Sequence, residues 1–167
     1  IVGLGHTGQA VAARAKAFGM KVLGTRAYPE PMLNIDEVHP ADDLIKLLPC
    51  ADFIAVSTPL IPATRGLIDK GKIAAMKPGV IFADVSRGGV VDQSALYDAL
   101  YTGHVAAAVL DVFETEPLPK TSPLWELENV IISPHCSSVY AEWEQASFEV
   151  FIQNLGRWIS GEGLVNI

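Results

Sequence analysis

Three closely spaced glycines at the start of the chain constrain its fold more than any other feature. Residues Ile1–Gly8 read Ile-Val-Gly-Leu-Gly-His-Thr-Gly, which predicts the end of a buried strand and then the start of a helix. In that pattern Gly3 permits a tight turn, Gly5 lets a phosphate approach the backbone, and Gly8 lets the helix pack against the strand. Free N–H groups at the helix start would then face the phosphates. An ordinary loop could also hold three glycines in eight residues.

Short apolar strands alternate with helical segments along the 167 residues. Such alternation indicates a parallel sheet with helices on both faces. We therefore predict an α/β fold, a doubly wound parallel sheet (Rossmann fold) of about six strands in three layers, with strand order 3-2-1-4-5-6. Phe53–Ser57 has no polar alternation, so we expect it to be covered on both faces, and Arg26–Pro40 with its three prolines is expected to be irregular. The predicted strands lie at Ile1-Val2, Lys21–Thr25, Phe53–Ser57, Val80–Asp84, Val105–Leu110 and Val130–Ser133.

Composition and charge disfavour several classes of partner. The net charge of −7 offers no basic excess for binding nucleic acid. No apolar run approaches the ~20 residues that a membrane-spanning helix needs. Cys50 and Cys136 are far apart and form no metal or disulfide pattern. We expect a cytoplasmic protein with no nucleic-acid partner, no membrane partner and no metal. Since the chain begins with Ile1 inside a predicted strand, we also expect it to be part of a longer protein.

Polar and ionisable residues follow the predicted strands. Because the carboxyl ends of parallel strands meet at one edge of a sheet, and ligands bind there, these residues are candidates for one site. An Arg, a Glu and a His from three neighbouring strands favour catalysis, although any fold of this kind places polar loops at that edge. In strand order the residues are Gly3–Gly8; Thr25 and Arg26; Ser57, Thr58 and Pro59; Ser86 and Arg87; Asp111, Glu114 and Glu116; His135 and Ser137.

The end of the second predicted strand bears on the choice of dinucleotide. A carboxylate about 20 residues after the glycines normally accepts a hydrogen bond from the ribose 2′-hydroxyl. Here the strand ends in Gly24-Thr25-Arg26, with no acid. Arg26 would attract a 2′-phosphate and could bind it through two hydrogen bonds, unless it is simply a solvated loop residue. The sequence therefore favours NADP over NAD.

Four segments together resemble the D-isomer-specific 2-hydroxyacid dehydrogenases, in the same order and over essentially the whole chain. They are Gly3–Gly8, Ser86–Asp92 (Ser-Arg-Gly-Gly-Val-Val-Asp), Leu110–Pro117 (Leu-Asp-Val-Phe-Glu-Thr-Glu-Pro) and Ser133–His135. The resemblance implies that residues 1–167 are a dinucleotide-binding domain truncated at its N-terminus. It also implies a separate substrate domain, toward which the final helix, 140–160, would lead, and a homodimer formed through cofactor domains.

The resemblance also implies roles for individual residues. Arg87 would hold the substrate carboxylate, His135 would be the general acid–base, and Glu116, rather than its neighbour Glu114, would pair with that histidine. His6 stands where the family often has Arg, and would contact phosphate or cap the helix. The residues expected to bind the cofactor are Gly3, Gly5, His6, Thr7, Gly8, Thr25, Arg26, Ser57, Thr58, Pro59, Ser86, Asp111 and Ser137.

The expected activity is reversible hydride transfer between a nicotinamide cofactor and a small D-2-hydroxy acid or 2-oxo acid, of the glyoxylate or hydroxypyruvate type. This fragment alone is expected to be inactive because half of the cleft would be absent. Two alternatives stay open on the sequence. One is a dinucleotide-sensing, corepressor-like binding protein of the same fold, and the other is a related enzyme with a different small acid or oxyanion as hydride donor.

Overall fold

Parallel strands dominate the structure, a computed structural model that describes residues 1–166. The chain divides into two compact units, Ile1–His135 and Cys136–Ile167. All of the described strands belong to the first unit. They are β1 (Leu23–Arg26), β2 (Glu37–Pro40), β3 (Phe53–Val56), β4 (Val80–Asp84), β5 (Val105–Leu110) and β6 (Val130–Ile132).

Val2 joins two groups of strands into one sheet. β1 pairs with β2, and β3 to β6 pair in sequence order, all in parallel. Val2 forms a parallel bridge to Thr25 on one side and to Val56 on the other. The order across the sheet is therefore β2-β1-Val2-β3-β4-β5-β6. This arrangement confirms the α/β class and the parallel sheet.

The predicted strand order was wrong in one respect. It placed Phe53–Ser57 at an edge of the sheet, whereas β3 lies beside Val2 and the edge is formed by β2. The sequence Glu37-Val38-His39-Pro40 contains no apolar run. Val38 and His39 are half-buried, and Glu37 and Pro40 are exposed. An edge strand, which pairs on only one side, needs no apolar run. The sequence pattern therefore did not predict a strand here, and Arg26–Pro40 was expected to be irregular. If Val2 is numbered as strand 1, β1 as strand 2 and β2 as strand 3, the observed order is 3-2-1-4-5-6-7. This is the expected order with one more strand at the β6 edge.

Five α-helices are described, and their ends follow local sequence signals. Asp69 accepts a hydrogen bond from Lys72 N–H (2.8 Å) and so caps α3, and Asp92 caps α4 in the same way. The first helix ends before Gly19, whose φ of +74° suits glycine. The helices are α1 (His6–Ala17), α2 (Leu44–Leu47), α3 (Lys70–Ala74), α4 (Gln93–Tyr101) and α5 (Trp143–Ile159), with 3₁₀ turns at Ala41–Asp43, Leu48–Cys50 and Pro123–Glu126.

The core of the first unit lies between one face of β3–β6 and helices α2–α4. Val56 and Phe82 on the sheet are fully buried in the same cluster as Met76 and Leu96. The opposite face of these strands is apolar but exposed, and it carries Phe53, Ile81, Val109 and Ile131. The prediction that Phe53–Ser57 is covered on both faces is therefore wrong for the described residues, since Phe53 is 53% exposed. Side chains alternate along a strand, so only Ile54 and Val56 reach the helices.

The second unit contains α5 and the segment that follows it. Asn154 fixes that segment to the helix, because its side chain donates to Val165 O and accepts from Val165 N–H, both at 2.9 Å. Large apolar side chains of α5, including Phe148, Phe151 and Trp158, are exposed. Among residues 1–166, no helix has the length and apolar character needed to cross a membrane.

Candidate functional site

In the glycine loop, Gly3–Gly8, the backbone at Gly5 leaves space for a ligand, whereas Gly8 is packed tightly against Gly3. Gly3 has φ +94°, a conformation that side chains rarely adopt. A Cβ added to Gly8 would lie 2.0 Å from the Gly3 carbonyl oxygen, so α1 packs directly on the turn. A Cβ added to Gly5 would meet no other described atom within 4 Å. The backbone at Gly5 is therefore open to an approaching group.

The start of α1 supplies unpaired donors beside that opening. The helix begins at His6 with Gly5 as N-cap, and within residues 1–166 no side chain caps it. Its first turn also carries no acidic residue. Helix N–H groups left free in this way bind phosphate favourably. The Oγ1 atom of Thr58 is buried nearby and makes no hydrogen bond in the described part of the chain. These residues fit a dinucleotide, and His6 does not cap the helix through its side chain.

Arg26 ends β1 and already has a carboxylate partner. Its Nη1 atom donates to Glu30 Oε1 at 2.7 Å and lies 3.3 Å from Met32 Sδ. Thr25, the residue before it, is buried. The strand end carries no acid itself, but Glu30 brings one to the guanidinium. Arg26 is thus a paired residue rather than a freely solvated one.

Glu116 and His135 are joined by a hydrogen bond between two loops. His135 Nδ1 lies 2.7 Å from Glu116 Oε2, and Glu116 Oε1 accepts the Phe113 N–H at 2.9 Å. These two partners lower the pKa of Glu116, so its carboxylate stays ionised at neutral pH. Glu114 instead exchanges hydrogen bonds with Gln93. Of the two neighbouring glutamates, the structure brings Glu116 to the histidine.

The backbone of His135 is in an unusual conformation. Its φ of +52° falls in the left-handed region, which few residues other than glycine adopt. Strain of this kind costs about 1–3 kcal/mol and is found preferentially at functional sites. This backbone conformation places the His135 ring beside Glu116. His135 itself lies in the loop that follows β6, directly after Ser133-Pro134.

One open cleft of about 730 Å³ brings half of the sixteen predicted site residues together. It lies within the first unit, at the carboxyl ends of the strands. Arg87 lines it, with an exposed side chain whose Nη1 donates to Ser86 O at 2.6 Å. The predicted residues in its wall are Thr7, Ser57, Thr58, Pro59, Ser86, Arg87, Glu116 and His135. Leu60, Val85 and Phe113, which were not candidates for the site, also line the cleft, together with Gly88 and Glu114.

Gly88 lies in the segment Ser86–Asp92 that the sequence analysis singled out, and the structure adds a role that was not predicted for it. A Cβ at this position would lie 1.8 Å from the Phe113 carbonyl oxygen, so the loops after β4 and β5 touch through their backbones. That contact holds Arg87 next to the turn that carries Glu116. The pair of glycines after Arg87 in the sequence was the available signal.

Eight predicted cofactor residues do not line the cleft, namely Gly3, Gly5, His6, Gly8, Thr25, Arg26, Asp111 and Ser137. Asp111 is 1% exposed, and its Oδ1 accepts the Ser133 hydroxyl at 2.6 Å beneath the site. Ser137 belongs to the second unit, and its contact with a cofactor stays a prediction. No group of three or more His, Cys, Asp or Glu side chains in residues 1–166 is arranged to hold a metal ion.

A parallel sheet with an open glycine loop at its centre and an uncapped helix behind that loop defines a dinucleotide-binding domain. Comparison with known families makes the assignment specific. The model of the D-isomer specific 2-hydroxyacid dehydrogenase NAD binding domain matches residues 1–137, and the chain belongs to this family.

Individual relatives show how much of the family's length the chain spans. It is 41% identical to a D-3-phosphoglycerate dehydrogenase of Methanocaldococcus jannaschii over 100% of the chain and 32% of that relative. It is 42% identical to a glyoxylate reductase of Korarchaeum cryptofilum over 97% of the chain and 49% of that relative. The structure of a D-isomer specific 2-hydroxyacid dehydrogenase from Xanthobacter autotrophicus Py2, in complex with NADPH and MES, matches with TM-score 0.92 and 37% identity, covering 99% of this chain and 67% of that one. The chain thus spans a third to a half of these two sequence relatives.

Proposed function

We propose that the whole protein is an NAD(P)-dependent oxidoreductase that transfers hydride between a nicotinamide cofactor and a small D-2-hydroxy acid or 2-oxo acid. The observation that carries this proposal is the position of the His135–Glu116 pair and Arg87 in one cleft beside the start of α1. An acid–base pair and a carboxylate-binding cation are the two groups that such a reaction needs from the protein. Family membership supports the same reaction class.

Proton transfer is the task of His135 in this proposal. Glu116 holds the ring at Nδ1, which leaves Nε2 to exchange a proton with the substrate oxygen. The ionised carboxylate stabilises the positive charge that the ring carries before it donates this proton. When bound, the nicotinamide supplies the hydride in reduction and accepts it in oxidation. The hydrogen bond from Phe113 N–H fixes Glu116, and therefore the ring, in place.

Substrate binding is the task of Arg87. Its planar guanidinium can bind a carboxylate through two parallel hydrogen bonds, and its bond to Ser86 O restricts where the group lies. We propose a small 2-oxo acid of the glyoxylate or hydroxypyruvate type. The similarity to the Korarchaeum cryptofilum glyoxylate reductase supports this choice. The phosphoglycerate dehydrogenase relatives keep a larger 2-hydroxy acid among the substrates to be tested.

NADP is the cofactor that we favour. Arg26 offers a positive charge at the end of β1, where a 2′-phosphate would be recognised. The Xanthobacter autotrophicus structure was solved with NADPH, which supports the same choice. Glu30 works against it, because this carboxylate neutralises Arg26 and would repel a phosphate. The preference of the intact protein for NADPH or NADH should therefore depend on both Arg26 and Glu30.

Steady-state kinetics of the full-length protein test the proposed function. His135→Gln should lower kcat by about 10²–10⁴-fold, because the proton donor is lost. Arg87→Ala should mainly raise KM for the 2-oxo acid. His39→Gln is a matched control, since His39 also pairs with a glutamate, Glu37, but at the sheet edge. An unchanged kcat in His135→Gln would refute the acid–base role. Dinucleotide binding without turnover of any 2-oxo acid would favour the corepressor-like alternative.

Assembly and location are proposed at the level of the whole protein. We propose a cytoplasmic homodimer formed through cofactor domains, as the family resemblance implies. The exposed apolar face of β3–β6 is the surface that we propose for this contact, because such patches usually mark interfaces. Sedimentation analysis of the full-length protein and of Ile131→Glu would test it. A wild-type monomer would refute the dimer, and a dimer unaffected by the variant would place the interface elsewhere.

A further inference from the structure

We propose that Asp84 is a positioning residue whose buried carboxyl group holds the loop that presents Arg87 to the substrate. This inference rests on the hydride-transfer function proposed above. Asp84 is the last residue of β4 and lies below the cleft, out of reach of substrate and cofactor by its burial. It therefore acts through its neighbours rather than on the reacting atoms.

Two hydrogen bonds connect Asp84 to the residue next to Arg87. Asp84 Oδ1 accepts the Ser86 N–H at 2.9 Å and the Ser86 hydroxyl at 2.5 Å. Ser86 is buried as well, and its carbonyl oxygen accepts the bond from Arg87 Nη1. One carboxyl group thus fixes Ser86, and Ser86 fixes the guanidinium. Removing the carboxyl group would leave two buried donors of Ser86 without their acceptor, which is costly.

The backbone of Asp84 is also connected to the neighbouring strand, which links in turn to the next one. The Asp84 carbonyl oxygen accepts the Asp111 N–H at 3.0 Å, and Asp111 Oδ1 accepts the Ser133 hydroxyl at 2.6 Å. Ser133 lies two residues before His135. A buried chain of hydrogen bonds therefore runs beneath the ends of β4, β5 and β6. It sets the Arg87 loop in a fixed register with the strands that carry the acid–base pair.

Protonation of Asp84 should weaken this hold. Burial raises the pKa of Asp84 to about 6, opposed by its bonds to Ser86 and reinforced by the negative charge of Asp111. Glu114 adds a second negative charge beside the same small cavity, and Arg87 is the cation on the adjoining loop. Above pH 6 the ionised carboxylate accepts both Ser86 bonds strongly. Below pH 6 the neutral acid accepts them more weakly, so the loop is held less firmly.

The prediction for the full-length enzyme concerns KM rather than kcat. In the wild type, KM for glyoxylate should rise about tenfold between pH 8 and pH 5 as Asp84 takes up a proton. Asp84→Asn keeps an amide oxygen as acceptor for Ser86 but cannot titrate, so this pH dependence should disappear. Asp84→Ala should raise KM about tenfold at pH 8, with a smaller change in kcat. Asp98→Asn, on the exposed side of α4, is the matched control and should behave as the wild type.

A second readout makes the test independent of turnover. Hydrogen exchange of amides 86–91, corrected for intrinsic rates, should be faster in the wild type at pH 5 than at pH 8. Asp84→Asn should remove that difference. If the protein turns over 2-oxo acids but neither KM nor loop exchange responds to these substitutions, the role of Asp84 is refuted. If loop exchange responds and no 2-oxo acid is turned over, the proposed function fails while the hold of Asp84 on the loop stands.

Discussion

Two alanine substitutions in the glycine loop should separate fold stability from cofactor binding. In Gly8→Ala the new Cβ would meet the Gly3 carbonyl oxygen at 2.0 Å, and a backbone atom cannot rotate away. Overpacking of this kind costs ~1–3 kcal/mol or more, and alanine returns ~1 kcal/mol of helix propensity. Taking the upper part of that range, we expect a net loss of about 2 kcal/mol. At 2–4 °C per kcal/mol for a domain of this size, Tm should fall by roughly 4–8 °C.

Gly5→Ala should weaken cofactor binding while the fold stays nearly as stable as in the wild type. Its φ of −72° is accessible to alanine, and no described atom lies within 4 Å of the new Cβ. Loss of glycine at the N-cap costs at most about 1 kcal/mol. The methyl group would instead occupy the space offered to the phosphates, so the Kd for NADPH should rise at least about tenfold, which corresponds to ~1.4 kcal/mol.

Scanning calorimetry of the full-length variants measures Tm, and titration calorimetry measures the Kd for NADPH. Gly156→Ala is the matched control for a helical glycine, because nothing surrounds its position in α5 and helix propensity alone should raise Tm slightly. If Gly8→Ala were as stable as Gly156→Ala, α1 would not pack on Gly3 as described. If Gly5→Ala bound NADPH as tightly as the wild type, this loop would not hold the phosphates.

Three further predictions concern charges and a helix cap. Arg26→Ala should weaken NADPH about tenfold relative to NADH, and Glu30→Gln should shift the preference toward NADPH, both measured as kcat/KM ratios. Glu116 has a lowered pKa, so its hydrogen-bonded carboxylate stabilises the fold above pH ~4.5, and this stabilisation is lost as pH falls through the lowered value. Glu116→Gln should therefore be less stable than the wild type at pH 7, and the difference in Tm should shrink as the pH of the thermal melt is lowered below ~4.5. Asp92→Ala should cost ~1 kcal/mol of unfolding free energy in urea titrations, because it removes the cap of α4; an unchanged midpoint would contradict the cap.

Local signals carried most of the fold. Apolar runs marked β3 to β6, and Asp69 and Gly19 marked helix ends, because each of these features depends on a few adjacent residues. The edge strand β2 carries no such signal, since pairing on one side leaves its side chains half-exposed or exposed. Its absence from the prediction displaced one strand in the order. The exposed face around Phe53 also escaped prediction, because a sequence does not say which face has a covering partner.

The candidate site was predictable where a residue type identifies a role, and less so where only position does. Arg87, Glu116 and His135 stood out as ionisable groups after apolar strands, and the structure brings them to one cleft. Asp84 was predicted only as the last residue of a strand, with no role in the site. Its burial depends on the pairing of β4 with β5, which brings Asp111 beside it, and no local pattern reveals that contact.

The bridge made by Val2 has a consequence for how the polypeptide acquires its structure. Val2 pairs with strand residues 23 and 54 positions further along, Thr25 and Val56. During synthesis its two flanks become available at different times, and the central seam closes only after residue 56 has been made. Contacts of such long sequence separation form late and slowly. Until residue 56 has been made, Val2 can pair only with β1, and its other side stays open to wrong pairing.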